Sequence, residues 1–254
     1  MPVHVRLLGR LAVECGERRL DGSQLPGGQG RVVLACLALA RHPVSRDDLA
    51  DAVWSDALPK SWERDLSSVV SKVRASLADL GAGDLLRAAM GCYELQLPPG
   101  SRVDAAAAGR FLEEAEAAWR AGDRDRALPA ADTAAELARR PFLPGDDGVW
   151  IDQRRAELRA TLLPALDPLI DGQLERGYER DALRYAEEAV ALEPFRETGY
   201  VRLMQVHVAT GNRAEAVRTY ERCRKLLAAE LAVEPSPETE AAYLAARGES
   251  APRR

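Results

Sequence analysis

Gly177 is followed at five and nine residues by Ala182 and Ala186, and Gly211 by Ala216 and Tyr220 at the same offsets. Each of these three pairs is separated by 34 residues. The stretch "AGDRDRALPAA" sets Ala127 and Ala131 at those same distances from Gly122. Such a period leaves few folds open, because each copy is one supersecondary unit whose apolar face only its neighbours can cover. Gly at a turn followed by small Ala suits two antiparallel helices whose backbones approach closely. The spacing predicts stacked helical hairpins from about Val103 onward. The step from Gly122 to Gly177 is 55 residues, so an insertion of about 21 residues around "RRPFLPGDDGVW" interrupts the array. "EPSPETEAAY" opens a last helix, with Ser236 at the N-cap and Pro237 at the first helical position.

Thirty-four residues is the tetratricopeptide period, and the first hundred residues do not share it. "VHVRLLGRLAVECGERRL" alternates, which predicts two short strands around Leu7–Gly9 and Leu11–Glu14 with a polar turn at Cys15–Arg19. "LPGGQG" (25–30) reads as a Gly/Pro loop and "RVVLACLALA" (31–40) as a compact apolar helix. A second helix opens at "VSRDDLADAVW", where Ser45 with Asp48 forms a capping-box-like start. Trp62 or Glu63 begins a third helix, which "GAGD" (81–84) breaks. "LLRAAMGCYELQL" then reads as two strands around a tight turn at Ala89–Gly91. Strands, three helices and a hairpin are the layout of a winged helix, in which the third helix enters a major groove and the hairpin is the wing.

The third helix carries the chemistry. In "SWERDLSSVVSKVRASL" (61–77), Leu66, Val69 or Val70, Val73 and Leu77 fall on one stripe. Arg64, Ser67, Ser68, Ser71, Lys72 and Arg74 cover the remaining surface. A solvated helix face mixes Glu and Lys at i, i+4, but here the only acids, Glu63 and Asp65, sit in the first turn. Short hydroxyls reach phosphates or base edges without bulk, and Arg and Lys neutralise phosphates or read guanine. Lys60, Ser61 and Trp62 stand at the helix entrance, where amides and dipole favour a phosphate. A plain solvated Ser/Arg helix is the bland alternative; its place between a helix pair and a wing hairpin argues against it.

Charge and composition bound the other classes. The net charge of −5 excludes an indiscriminate nucleic-acid binder, yet residues 1–100 hold 12 basic and 12 acidic side chains, and the remainder holds 23 against 28. Binding then depends on clustering on one face. Cys15, Cys36, Cys92 and Cys223 are scattered, without a C-x-x-C pair, and read as buried free thiols. No stretch approaches the roughly eighteen continuous apolar residues of a membrane span, and the N-terminus has no signal-peptide run. The expectation is a cytoplasmic chain with no membrane partner. His4, His42 and His207 form no metal-spaced cluster, "GGQG" is no phosphate loop, and no nucleophile–base motif occurs. The acid pairs Asp47–Asp48 and Asp146–Asp147 read as charge complementing helix N-termini. No enzyme activity, catalytic residue, cofactor or metal is expected.

The order of these features resembles the SARP-type actinobacterial transcriptional activators. These join an OmpR-like winged helix to a tetratricopeptide-like bacterial transcriptional activation domain. The resemblance runs from "VRLLGRLAV" through "PVSRDDLADAVW", "LSSVVSKVRASL" and "GCYELQLPPGSRVD" to "GNRAEAVRTYERCRKLLAAELAVEPSPE". It implies a mainly α chain: an α+β winged helix over residues 1–100, an all-α repeat domain over 101–247 and a polar tail at 248–254. It also implies a recognition helix at 62–77 on double-stranded DNA at promoter direct repeats, and a wing at 87–95, with Arg87, near the minor groove. The Ser55–Ser61 loop, chiefly Ser55, Asp56, Ala57 and Leu58, is implied to touch the sigma factor of RNA polymerase. The repeat domain would form a homodimer or engage polymerase, its alpha subunit included. This chain departs from the family at Gly28, Cys36, Val69 and the cation-poor wing tip "AAMG". Those departures leave a second reading open, a protein-interaction adaptor with a degenerate winged helix. "GESAPRR" reads as a tail or as a linker to a further module.

Overall fold

The computed structural model describes residues 1–248; most of the expected polar tail, 249–254, lies outside the described residues. In chain order the elements are β1 (Val3–Arg6), β2 (Ala12–Cys15), β3 (Arg18–Asp21), α1 (Gly27–Leu39), β4 (Val44–Ser45), α2 (Arg46–Trp54) and α3 (Trp62–Asp79). Then come β5 (Leu86–Ala89), β6 (Cys92–Leu95), β7 (Arg102–Val103), α4 (Asp104–Arg120), α5 (Arg124–Arg139) and α6 (Val149–Glu175). The chain closes with α7 (Glu179–Leu192), α8 (Glu197–Ala209), α9 (Arg213–Leu231) and α10 (Pro237–Arg247). It is mainly α, a winged helix followed by tetratricopeptide-like helices. Two compact units form: Met1–Phe111 with Thr133–Leu162, and Leu112–Asp132 with the chain from Leu163.

In the first unit, β3-β2-β1-β7 make a four-stranded sheet and β4-β6-β5 a three-stranded one. Val3 and Val5 of β1 are buried while His4 and Arg6 face outward, the period of two expected of a half-covered strand. Three strands, not two, precede the first helix, and β1 lies upstream of Leu7–Gly9. The reason is hydrogen-bond competition. The Leu7 and Leu8 amides donate to the Asp104 carboxylate at 2.7 and 3.1 Å, and Gly9 N–H donates to the Pro141 carbonyl at 2.7 Å. Those amides are therefore unavailable to a hairpin ladder. The predicted turn tightens to Gly16 and Glu17, between the paired Cys15 and Arg18.

The Gly/Pro stretch 25–30 is not a loop throughout; Gly27–Gly30 form the first turn of α1. Gly27 takes a left-handed φ of 64° with open space around it, whereas close approach explains Gly28 and Gly30. A Cβ on Gly28 would stand 2.8 Å from Asp146 Oδ1, and one on Gly30 only 2.4 Å from Pro26 Cγ. Asp146 is 8% exposed and pairs with Arg31 through both oxygens, at 2.7 and 2.6 Å. It therefore serves as an ion-pair partner 115 residues away and not as a charge at its own helix start. Phe142 and Leu143 of the expected insertion are buried in the first unit's core. The insertion is in part a loop that belongs to that unit, and in part the extra length of α6.

In the second unit the repeat logic shows as packing. Gly122, Gly177 and Gly211 each adopt φ between 76° and 78° at a helix junction, a region open to Gly at little cost. Ala127, Ala131, Ala182, Ala186 and Ala216 are fully buried, as close helix pairs require. Gly172 of α6 meets Leu128 of α5, whose Cδ2 lies 2.5 Å from where a Cβ would stand. Ser236 caps α10, accepting from the Thr239 amide, with Pro237 at the first position. Tyr220 stacks on Tyr243 with ring centroids 4.0 Å apart, and its hydroxyl donates to Glu240.

Candidate nucleic-acid interface

Helix α3 owes its orientation to one apolar seam. Leu66, Val69, Val70, Val73 and Leu77 are all buried, so both valines are taken where one sufficed for the stripe. The opposite face is set by geometry, since residues three and four apart share a side. Arg64, Ser67, Ser68, Ser71 and Lys72 are exposed along it, with Lys60 and Ser61 at its start. Trp62 is half-buried against the core and braces the helix entrance. Among the described residues, Lys60, Arg64, Ser68, Ser71 and Lys72 engage no side-chain hydrogen bond or ion pair. The two cations and two hydroxyls on the helix body are unspent donors.

The other sequence-predicted residues are partly occupied. Ser61 donates to the Asp65 carboxylate at 2.8 Å and does not cap the helix with its side chain. Ser67 donates to the Glu63 carbonyl at 2.7 Å. Arg74 is half-buried, its Nε donating to the Leu86 carbonyl at 3.0 Å, so it ties α3 to the wing strand β5. Arg87 is exposed and stands opposite Glu94 across the β5–β6 ladder. A Glu facing Arg across a ladder dilutes the cation's field at the wing.

Arg46 was not among the expected residues, and it organises the site. Its amide donates to the Gly91 carbonyl in the wing turn at 3.2 Å. Its Nη2 donates to the Glu63 carbonyl and to Ser67 Oγ, both at 3.0 Å. One residue at the start of α2 thus fixes both the wing and the first turns of α3. The sequence signal for it is slight, an Arg after the capping Ser45, and shows nothing of its reach. The wing turn itself is Met90 and Gly91, at φ 51° and 77°, the left-handed pair of a two-residue hairpin turn. Pairing of β4 with β6, Val44 to Tyr93 and Ser45 to Cys92, anchors the hairpin to the helices.

Between α2 and α3, Ser55–Ala57 form a single 3-10 turn, with Ser55 at φ 47°. Leu58 is 44% exposed, an apolar side chain only partly covered. Among the described residues no group of three His, Cys, Asp or Glu is placed to hold a metal ion, and no helix is long and apolar enough to cross a membrane.

Residues 103–247 match the family model of the bacterial transcriptional activator domain. The chain is 30% identical to the transcriptional regulator RedD of Streptomyces coelicolor over 92% of its own length and 67% of RedD's. It is also 30% identical to the regulatory protein AfsR of the same organism, over 85% of this chain but 22% of AfsR. The transcriptional regulatory protein MoaR1 of Mycobacterium bovis matches at 28% over 89% of this chain and 75% of MoaR1. In structure, Mycobacterium tuberculosis EmbR, solved in complex with a low affinity phosphopeptide, superposes with a TM-score of 0.83 at 22% identity. That match covers 98% of this chain and 66% of EmbR, and establishes the fold. With a winged helix ahead of that activator domain, the chain belongs to the SARP-type family of actinobacterial transcriptional regulators.

Proposed function

We propose that the chain is a sequence-specific DNA-binding transcriptional activator, working in the cytoplasm on double-stranded promoter DNA carrying direct repeats. Helix α3 enters the major groove, and the wing, 87–95, lies beside the adjacent minor groove. The observation that carries this reading is the outward row of Arg64, Ser68, Ser71 and Lys72, unpartnered and opposite a fully buried seam. Phosphate contacts from such cations place a protein on the duplex, and base-edge contacts then specify the site. Residues 1–100 form the DNA-binding part and 101–247 the activator part, which dimerises or engages the alpha subunit of RNA polymerase. This functional division differs from the compact units because residues 101–111 and 133–162 fold with the first. The 3-10 turn with exposed Leu58 is the contact for sigma factor. Fluorescence anisotropy with the full chain tests the reading, using a random duplex and a duplex from its own promoter region at two salt concentrations. Tighter binding to the promoter duplex, weakening as salt rises, is expected. A second reading, a protein-interaction adaptor, is favoured by one observation, the wing whose single cation faces Glu94. Failure to bind either duplex at any salt overturns the DNA-binding reading and favours the adaptor.

A further inference from the structure

The first unit holds a second cationic feature, away from α3 and built on the outer face of the four-stranded sheet. His4 stands opposite Glu14 on one side and Arg102 of β7 on the other, so the three share a face. Arg6 follows His4 on that face at the strand period of two. The facing wall is α4, whose Asp104, Ala107 and Arg110 recur at the helical spacing of three, with Phe111 beside them. The groove between these walls encloses about 830 Å³, within the range of small-molecule sites.

Its two carboxylates are already spent. Glu14 pairs with Arg6 at 3.2 Å and with Arg19 at 3.0 Å. Asp104 accepts the amides of Leu7, Leu8 and Ala105, at 2.7, 3.1 and 2.8 Å. Arg102 and Arg110 are left without a carboxylate partner among the described residues. Planar guanidinium forks match phosphate oxygens two at a time. Phe111, with the Arg110 guanidinium 5.5 Å from its ring centroid, offers an aromatic surface on which a base can lie.

We propose that this groove binds a phosphate-bearing small molecule, held at its phosphate by Arg102 and Arg110. The proposal is independent of DNA binding by α3. Isothermal titration of the full chain with ATP, AMP, inorganic phosphate and adenosine tests it, alongside the R102A/R110A variant. Binding of the anionic ligands and not of adenosine is expected. The variant should bind them about a hundredfold more weakly, about tenfold for each guanidinium–phosphate hydrogen bond removed. AMP binding more tightly than inorganic phosphate assigns a contribution to the nucleoside beside Phe111, and equal affinities identify the phosphate alone as the ligand; either supports the site. Arg110→Gln, a change on an exposed helix face, carries the test should the double variant fail to fold. The proposal is overturned if no anion binds at millimolar concentration or if the variants bind as the parent does. It also falls if R102A/R110A instead weakens duplex affinity and flattens its salt dependence, because the groove is then a DNA-backbone contact.

Discussion

Met90 has a backbone its side chain does not favour. At φ 51° and fully exposed, it occupies the position where hairpin turns take Asn, Asp or Gly. Met90→Asn is expected to raise stability by about 0.5–1 kcal/mol, read as a higher midpoint in thermal denaturation, because no buried surface is removed. A lower midpoint would mean that the Met side chain contributes packing its exposure does not show. The thiols separate by environment in the same way. Burial pushes Cys36 and Cys223 up to about 11, whereas Cys15 and Cys92 are half-buried. Iodoacetamide at about pH 8 followed by mass spectrometry should label Cys15 and Cys92 in the native chain and spare the other two, since the thiolate is the nucleophile. Arg46 marks the limit of what local pattern reveals. Ser45 as an N-cap is legible from the residues around it, but the reach of Arg46 to Ser67 and Gly91 spans separations no sequence window contains.

At the scale of elements, α10 is docked through Glu197 at the start of α8. Its carboxylate accepts the Ser236 amide at 2.7 Å and the Thr239 hydroxyl at 2.6 Å. Burial alone would raise its pKa, but these hydrogen bonds outweigh burial and hold it below the usual carboxylate range. A carboxylate depressed in the folded state stabilises above its unfolded pKa and loses that contribution as pH falls through the folded value. Glu197→Gln should therefore cost about 1 kcal/mol near neutral pH, with the difference from the parent closing as pH drops below the ordinary carboxylate range. A gap that is constant with pH, measured by denaturation, would assign the loss to shape and not to charge. The Asp146–Arg31 pair does comparable work for the 140–148 loop. Asp146→Ala leaves Arg31 half-buried without its anion and is expected to cost about 2–3 kcal/mol, with earlier proteolytic cleavage in that loop.

For the whole molecule, the parts readable from sequence were those in which one physical requirement repeats. Gly122, Gly177 and Gly211 with their alanines disclose paired helices because close approach tolerates few residue types. The α3 seam and the turn expected at Ala89–Gly91, which narrows to Met90 and Gly91 because Ala89 pairs with Cys92, are similarly local, and so the winged helix was legible. Strands β4 and β7 were not, because two residues carry no periodicity and their partners, Tyr93 and Cys92 in one case and His4 and Val5 in the other, lie far along the chain. The insertion gave its length but not its place in the first unit's core. Of the interface, the exposed row was readable, whereas the ties of Arg74 to Leu86 and of Ser67 to Arg46 join separate elements, and Ser61 and Ser67 turn to Asp65 and Glu63 one helical turn away. The central claim is that the cations of α3 meet phosphates. The most direct test compares the full chain with its R64A/K72A variant on one promoter duplex across a salt series, with thermal midpoints measured in parallel. Loss of most of the affinity, a log–log salt slope shallower by about two and an unchanged midpoint are the predicted result. Undiminished affinity and slope in the variant would contradict it, and α3 would not be the recognition helix.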